Sequence, residues 1–159
     1  MPRAGLPRER CTIWYMDLDK SVDTRADLAS SWAAITDVAS WPRWTASMTS
    51  VELLDGGPLR LGSRARVKQP GMQPLVWEVT EFRDREEFSW TNRSPGVRTV
   101  GRHLIRRNDD GSTRITLELH QTGPLAGIVG AFLGRRNVRY LDLEAAGLKA
   151  ASEDAAGHG

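Results

Sequence analysis

The 159-residue chain is 40% hydrophobic and 26% charged, which excludes a disordered or collagen-like protein and fits one globular domain. Lys plus Arg number 22 against 20 Asp plus Glu, and the excess lies in the first ten residues, where Arg3, Arg8 and Arg10 face Glu9. The remaining 19 charges of each sign cancel, so the basic face of a nucleic-acid binder is missing and no nucleic-acid partner is expected. No apolar run approaches the roughly 18 residues of a membrane-crossing helix. Cys11 is the sole cysteine, which excludes an internal disulfide and a cysteine-based zinc cluster. The opening MPRAGLPRER is charged without an apolar core, so it is expected not to be a secretory signal, and a cytoplasmic setting is expected. Residues 1–10 read as a flexible basic arm, 11–152 as one domain and 153–159 as a flexible tail.

Residues 12–22 alternate, with Met16, Leu18 and Val22 on one face and Asp17, Asp19 and Ser21 on the other, the pattern of a strand. Lys20 interrupts the apolar face. Thr24-Arg25-Ala26-Asp27 has the form of a capping box, and Leu28, Trp32 and Ile35 follow at helical spacing. Asp37 opens a second short helix that Pro42 brings to an end.

From residue 46 to 122 the pattern is short strands divided by turn signals, six in a row. Val51/Leu53, Ala65/Val67, Trp77/Val79, Phe88/Trp90, residues 97–107 and Ile115/Leu117/Leu119 mark them, with DGGP, QPG, SPG and NDDG between several of them. Connections this short predict an antiparallel meander. Arg64, Arg66 and Lys68 read as the solvated face of one strand. Past Gly123-Pro124 the period becomes 3.6, with Leu125, Ile128, Val129, Phe132, Tyr140, Leu143 and Leu148 on one predicted face of a helix reaching about residue 152. Gly127, Gly130 and Gly134 weaken its first turns, which are expected to be mobile, as a gate would be. The fold class is α+β, in the order strand, two helices, six strands and one long helix. A curved sheet closed by a long helix need not fill its interior, and the gap is a candidate ligand cavity.

The run VDTRADLASSWAAITDVASWPRW at 22–44, with Trp32, Asp37, Trp41 and Trp44, resembles the opening of the polyketide cyclase/dehydrase branch of the START/Bet v 1-like superfamily. LGSRARVKQPG (61–71), WEVTEF (77–82), FSW (88–90) and GSTRITLELHQTGPLAG (111–127) are similar too, so the resemblance covers about residues 12–152. It implies a helix-grip fold, with a seven-stranded curved sheet wrapped round the terminal helix. It also implies a hydrophobic or polyketide small molecule as partner, with no metal, nucleotide or other cofactor. The activities implied are aldol cyclisation and dehydration of a poly-β-carbonyl chain, or the non-catalytic carriage or sensing of a lipid. The resemblance puts Trp44, Trp77 and Trp90 at the cavity wall or mouth, where the alternative is ordinary core packing. Trp32 reads as core, and Trp14 and Trp41 are left unassigned.

Strand parity puts Gly101, His103 and Ile105 on one face and Arg102, Leu104 and Arg106 on the wet one, so His103 is expected to point inward. There an imidazole serves either as acid or base near neutral pH, or as a hydrogen-bonded part of the wall. Arg136 and Tyr140 lie four apart on the long helix, in line with Ile128 and Phe132, and with His103 complete the candidate catalytic set. Arg136 either meets a ligand anion or snorkels to solvent. Asn92 shares the Phe88/Trp90 face and Gln121 the Leu117 face, and Glu81 is a further inward candidate. With Trp44, Trp77 and Trp90, the expected ligand contacts are Val67, Asn92, Leu117, Gln121 and Phe132. His120 and His158 lie apart from His103, so no metal site is expected.

Overall fold

The computed structural model describes residues 16–158, so the basic arm, Cys11, Trp14 and the first residues of the predicted opening strand lie outside the described part. The elements are β1 (Met16–Thr24), α1 (Leu28–Thr36), a 3-10 helix (Val38–Arg43), β2 (Ser50–Leu53), β3 (Arg64–Lys68), β4 (Leu75–Arg83), β5 (Glu87–Ser94), β6 (Val97–Arg107), β7 (Thr113–Thr122) and α2 (Ala126–Ala156). The seven strands form one antiparallel sheet in the order β1-β7-β6-β5-β4-β3-β2, so the six later strands are a meander and β1 closes beside the last. The helices pack on one face of it, with α2 against α1, β1 and β7. At 31 residues, α2 is about 46 Å long and spans the sheet.

The register explains which side chains share the inner face. Phe88, His103, Leu117 and Lys20 form one row across β5, β6, β7 and β1, and Trp90, Gly101, Leu119 and Leu18 form the next. Lys20 interrupts the apolar face because its ammonium reaches Asp142 of α2, 2.8 Å away. On the outer face the carboxylate of Glu87, 1% exposed, accepts hydrogen bonds from Arg83, Arg102 and Ser89. Arg102 also bonds Glu118 at 2.7 Å, and these charges pin β5, β6 and β7 in register.

Several expected boundaries shift. The N-cap of α1 is Asp27, whose side chain accepts from Ser30 N at 2.7 Å, and the helix starts three residues later than the capping box implied. Thr24 instead accepts from Ala26 N and donates to Glu153 of α2 at 3.1 Å. That contact, with Ser152 buried, corrects the reading of 153–159 as a loose tail: α2 continues to Ala156.

The phase of α2 is the larger correction. Leu125, Ile128 and Phe132 are exposed, Phe132 by 82%, and the inner face carries Ala126, Leu133, Leu141, Ala145 and Leu148. Small residues, Ala145, Gly147 and Ser152, share the inner face with Leu141 and Leu148 where packing is tight. At that tight end Trp41, Phe88, Ile35, Val38, Ile115 and Leu148 are fully buried. Trp41 is the centre, with its ring 5.3 Å from Trp90 and 5.1 Å from His103 and its indole N–H donating to Ala34 O.

Trp44 lies against α2 so closely that a Cβ on Gly147 would be 2.3 Å from Trp44 Cε3 and 2.7 Å from its backbone oxygen. Alanine is the better helix former by up to about 1 kcal/mol, yet Gly147→Ala is expected to destabilise the protein by about 1–3 kcal/mol through overpacking. Chemical denaturation measures this, and a gain in stability would contradict the seating of α2 on Trp44.

Candidate functional site

Between the middle of α2 and the inner face of the sheet lies a cavity of about 100 Å³. By volume it takes roughly seven to ten waters. Its apolar wall is built by the inner faces of the strands, including Val67, Trp77, Trp90, Leu117 and Leu119, with Met48 from the loop before β2. Leu133, Arg136, Asn137, Tyr140, Leu141 and Glu144 line it from α2, at the three-and-four spacing of one helical stripe. Trp77 and Trp90 lie 5.4 Å apart, and Gly101 leaves the space for Trp90, since a Cβ there would be 2.8 Å from the indole nitrogen.

His103 stands inside, as strand parity implied. It is 4% exposed, stacks on its cross-strand neighbour Phe88 at 4.3 Å and 11°, and its Nδ1 has no hydrogen-bond partner. Loss of water pushes its pKa down to about 3, opposed in part by the backbone of Phe88. Of the two readings, acid or base near neutral pH and part of the wall, this shift supports the second: the ring is neutral there, in an aromatic nest.

Gln121 and Thr99 face each other across β7 and β6, and Gln121 Nε2 donates to Thr99 Oγ1 at 3.2 Å. The amide oxygen of Gln121, buried at the cavity, has no partner. Arg136 is half-buried at the boundary between this cavity and an open outer groove of about 500 Å³ that Arg135, Arg139 and Tyr140 also line. Its guanidinium lies 5.8 Å from the Tyr140 ring centroid, Nη2 approaches Met72 Sδ at 2.9 Å, and Nε is buried without a partner. Arg136 thus stands between the cavity and the outer groove.

Glu144 is the residue that sequence reasoning missed. Its Oε1 accepts from Ser47 Oγ at 2.9 Å, and Ser47 is itself hydrogen-bonded with Thr45. Desolvation pushes the Glu144 carboxyl up to about 7, with the Ser47 hydrogen bond acting in the opposite direction. The signal was present in the sequence: with the helix phased on Leu133, Leu141 and Leu148, Glu144 is an acid on an inward stripe.

Of the expected contacts, Val67, Trp77, Trp90, Leu117 and Gln121 line the cavity, and so do His103, Arg136 and Tyr140. Three do not. Trp44 packs on Trp41 and Gly147; Phe132 points to solvent; and Asn92 is consumed as a clip, donating to Val76 O and accepting from Ser94, each at 2.8 Å. A register shift between Val79 and Glu81 turns Glu81 outward, where it pairs with Arg83. Among the described residues no group of three or more His, Cys, Asp or Glu is placed to hold a metal ion, and no helix is long and apolar enough to cross a membrane.

The sequence profile of the family described as polyketide cyclase / dehydrase and lipid transport matches residues 16–153. The chain belongs to that family. A hypothetical protein from Helicobacter pylori resembles this polyketide cyclase/dehydrase family member with a TM-score of 0.75 at 16% identity, over 96% of this chain and 97% of the other. A START superfamily protein from Mycobacterium smegmatis gives 0.65 at 17% identity, over 87% and 97%. The di-domain ARO/CYC protein StfQ of the steffimycin biosynthetic pathway gives 0.68 at 10% identity, over 89% of this chain and 51% of that one. At such identities the likeness shows the START/Bet v 1-like fold. No curated protein matches in sequence. Family membership supports a hydrophobic small molecule as the guest.

His103 and Glu144, the two titratable groups at the cavity whose shifts come from desolvation, give opposite pH signatures. The His103 pKa is depressed from 6.5, so its contribution to stability is complete above that pH and lost as pH falls toward about 3. The Glu144 pKa is raised from 4.5, so its contribution is complete below that pH and lost as pH rises toward 7. In denaturation midpoints followed from pH 7 to 4, His103→Leu is expected to remove loss on acidification, and Glu144→Gln to flatten the opposing rise. Slopes identical to wild type in both variants would contradict the buried, uncharged states.

Proposed function

We propose that the chain is a polyketide cyclase/dehydrase-like protein that holds a poly-β-carbonyl chain for intramolecular aldol condensation and loss of water. The observation that supports this reading most is a Trp-walled cavity with Arg136, Tyr140 and Glu144 on one side of one helix. Apolar walls restrict a flexible chain to a folded conformation, so proximity and orientation supply much of the rate. The reaction removes a proton from carbon between two carbonyls, and the resulting enolate carbon attacks a third. The new alkoxide is protonated and later leaves as water.

Glu144, poised near neutrality, is the group suited to take the carbon-bound proton. The Arg136 cation and the Tyr140 hydroxyl are suited to the oxygen that gains negative charge. His103 serves as a neutral hydrogen-bonding wall group. A second reading, carriage of a lipid or other hydrophobic ligand without chemistry, is favoured by the neutrality of His103, the histidine best placed for proton transfer.

Turnover of a soluble poly-ketone analogue tests the choice. Under the cyclase reading Glu144→Gln and Tyr140→Phe lower the rate by about 10²-fold or more, the scale of a lost general acid or base, and Arg136→Ala and His103→Ala also lower it. Absence of turnover together with a lipid that copurifies in native mass spectrometry would favour the carrier. Undiminished turnover in all four variants would remove these assignments.

A further inference from the structure

The hydrogen-bonding capacity left over in the cavity describes its guest. Among the described residues five buried side-chain polar atoms lack a partner, and three of them belong to residues lining this one cavity: His103 Nδ1, Gln121 Oε1 and Arg136 Nε. A buried polar atom left unpaired costs about as much as a lost hydrogen bond, so such atoms gathered at one void mark where an occupant completes the structure.

Their chemistry is directional. Gln121 is 7% exposed and its amide nitrogen already donates to Thr99, so what remains is an acceptor that calls for an O–H or N–H. Arg136 Nε is a donor only and carries positive charge, so it calls for an acceptor, best an anion. Among the described residues no carboxylate pairs with Arg136; its recorded partners are a thioether and the face of Tyr140. Arg135 and Arg139 line the adjoining groove, and residues 126–140 contain no acid. The acids nearby are engaged elsewhere: Asp142 by Lys20, Glu118 by Arg102, and Glu144 by Ser47. A partly desolvated arginine amid further arginines attracts an anionic group.

Between these polar ends the wall is tryptophan and aliphatic. A volume of about 100 Å³ holds roughly seven to ten non-hydrogen atoms, and the adjoining groove of about 500 Å³ receives what extends past Arg136. Resting on the reading above that the cavity takes a hydrophobic small molecule, we propose that its guest is a compact hydroxylated aromatic or enolic acid. Its anionic group pairs with Arg136 at the mouth and its hydroxyl donates to Gln121 inside. A one- or two-ring product of partial cyclisation fits this description, and a long unsubstituted fatty acid does not.

Quenching of tryptophan fluorescence tests this with four probes of one shape: 6-hydroxy-2-naphthoate, 2-naphthoate, 2-naphthol and naphthalene. The intact protein is expected to bind the hydroxy acid most tightly and to lose about tenfold or more when the carboxylate is absent, the scale of a charge-assisted hydrogen bond. Arg136→Gln should erase the carboxylate preference and Arg136→Lys restore part of it. Gln121→Met should erase the preference for 6-hydroxy-2-naphthoate over 2-naphthoate and leave the carboxylate preference intact. Binding of all four probes with equal affinity would overturn the proposal, with waters filling the polar positions, and would leave the hydrophobic cavity standing. Binding of none would overturn both.

Discussion

Trp44 and Gly147 bring the terminal helix and the sheet's helical cap into contact at one end, and the rest of the architecture follows from that approach. A side chain at position 147 would push the helix away, so glycine there seats it, with Ala145 and Leu148 buried on either side. About three turns earlier the cavity opens between helix and sheet, with Leu133, Arg136 and Tyr140 at its rim. Beyond it the helix meets the sheet again, where Leu125 N donates to Gly96 O and Gly130 faces Met16 of β1. The interior is thus solid around Trp41 and hollow in front of Trp77 and Trp90. A protein interior is normally packed to crystalline density, so a void bordered by unpaired polar atoms marks a place kept for something else.

The polar residues divide by the face of the sheet they occupy. On the outer face Glu87, Arg102 and Glu118 satisfy one another, and their charges stitch neighbouring strands. On the inner face His103 and Gln121, and on the helix opposite Arg136, each retain an unpaired polar atom. The first set is consumed by folding; the second is available for recognition. Glu144 lies between these cases, anchored by Ser47 at one oxygen and held near half-protonation by its surroundings.

Strand identity was legible because alternation has an unforgiving period: a shift of one residue would turn Ile115, Leu117 and Leu119 into water. The same parity placed His103 and Gln121 inward. It could not foresee the bulge that turns Glu81 outward, nor that the Asn92 amide is spent on Val76 and Ser94. The helix misled for a physical reason. Ile128 and Phe132 are exposed, while its buried positions mix Leu141 and Leu148 with Ala126, Ala145, Gly147 and Ser152, whose small size weakens the apolar signal. A periodicity weighted by hydrophobicity therefore finds Tyr140 and Leu148 but turns the first half of the helix outward, and loses Leu133 and Glu144. Trp44 was legible as important but not as a seat for the helix, since that role needs a glycine more than a hundred residues away in sequence. Lys20 shows the converse: an apparent defect in a strand pattern is a tether to Asp142.

The account stands on the hollow half receiving a guest between sheet and helix. Intermolecular nuclear Overhauser effects with bound 2-naphthol address this directly. The account predicts contacts to the side chains of Trp77, Trp90, Leu117 and Leu141. Contacts confined to Ile128 and Phe132 on the outer side of the helix would contradict it.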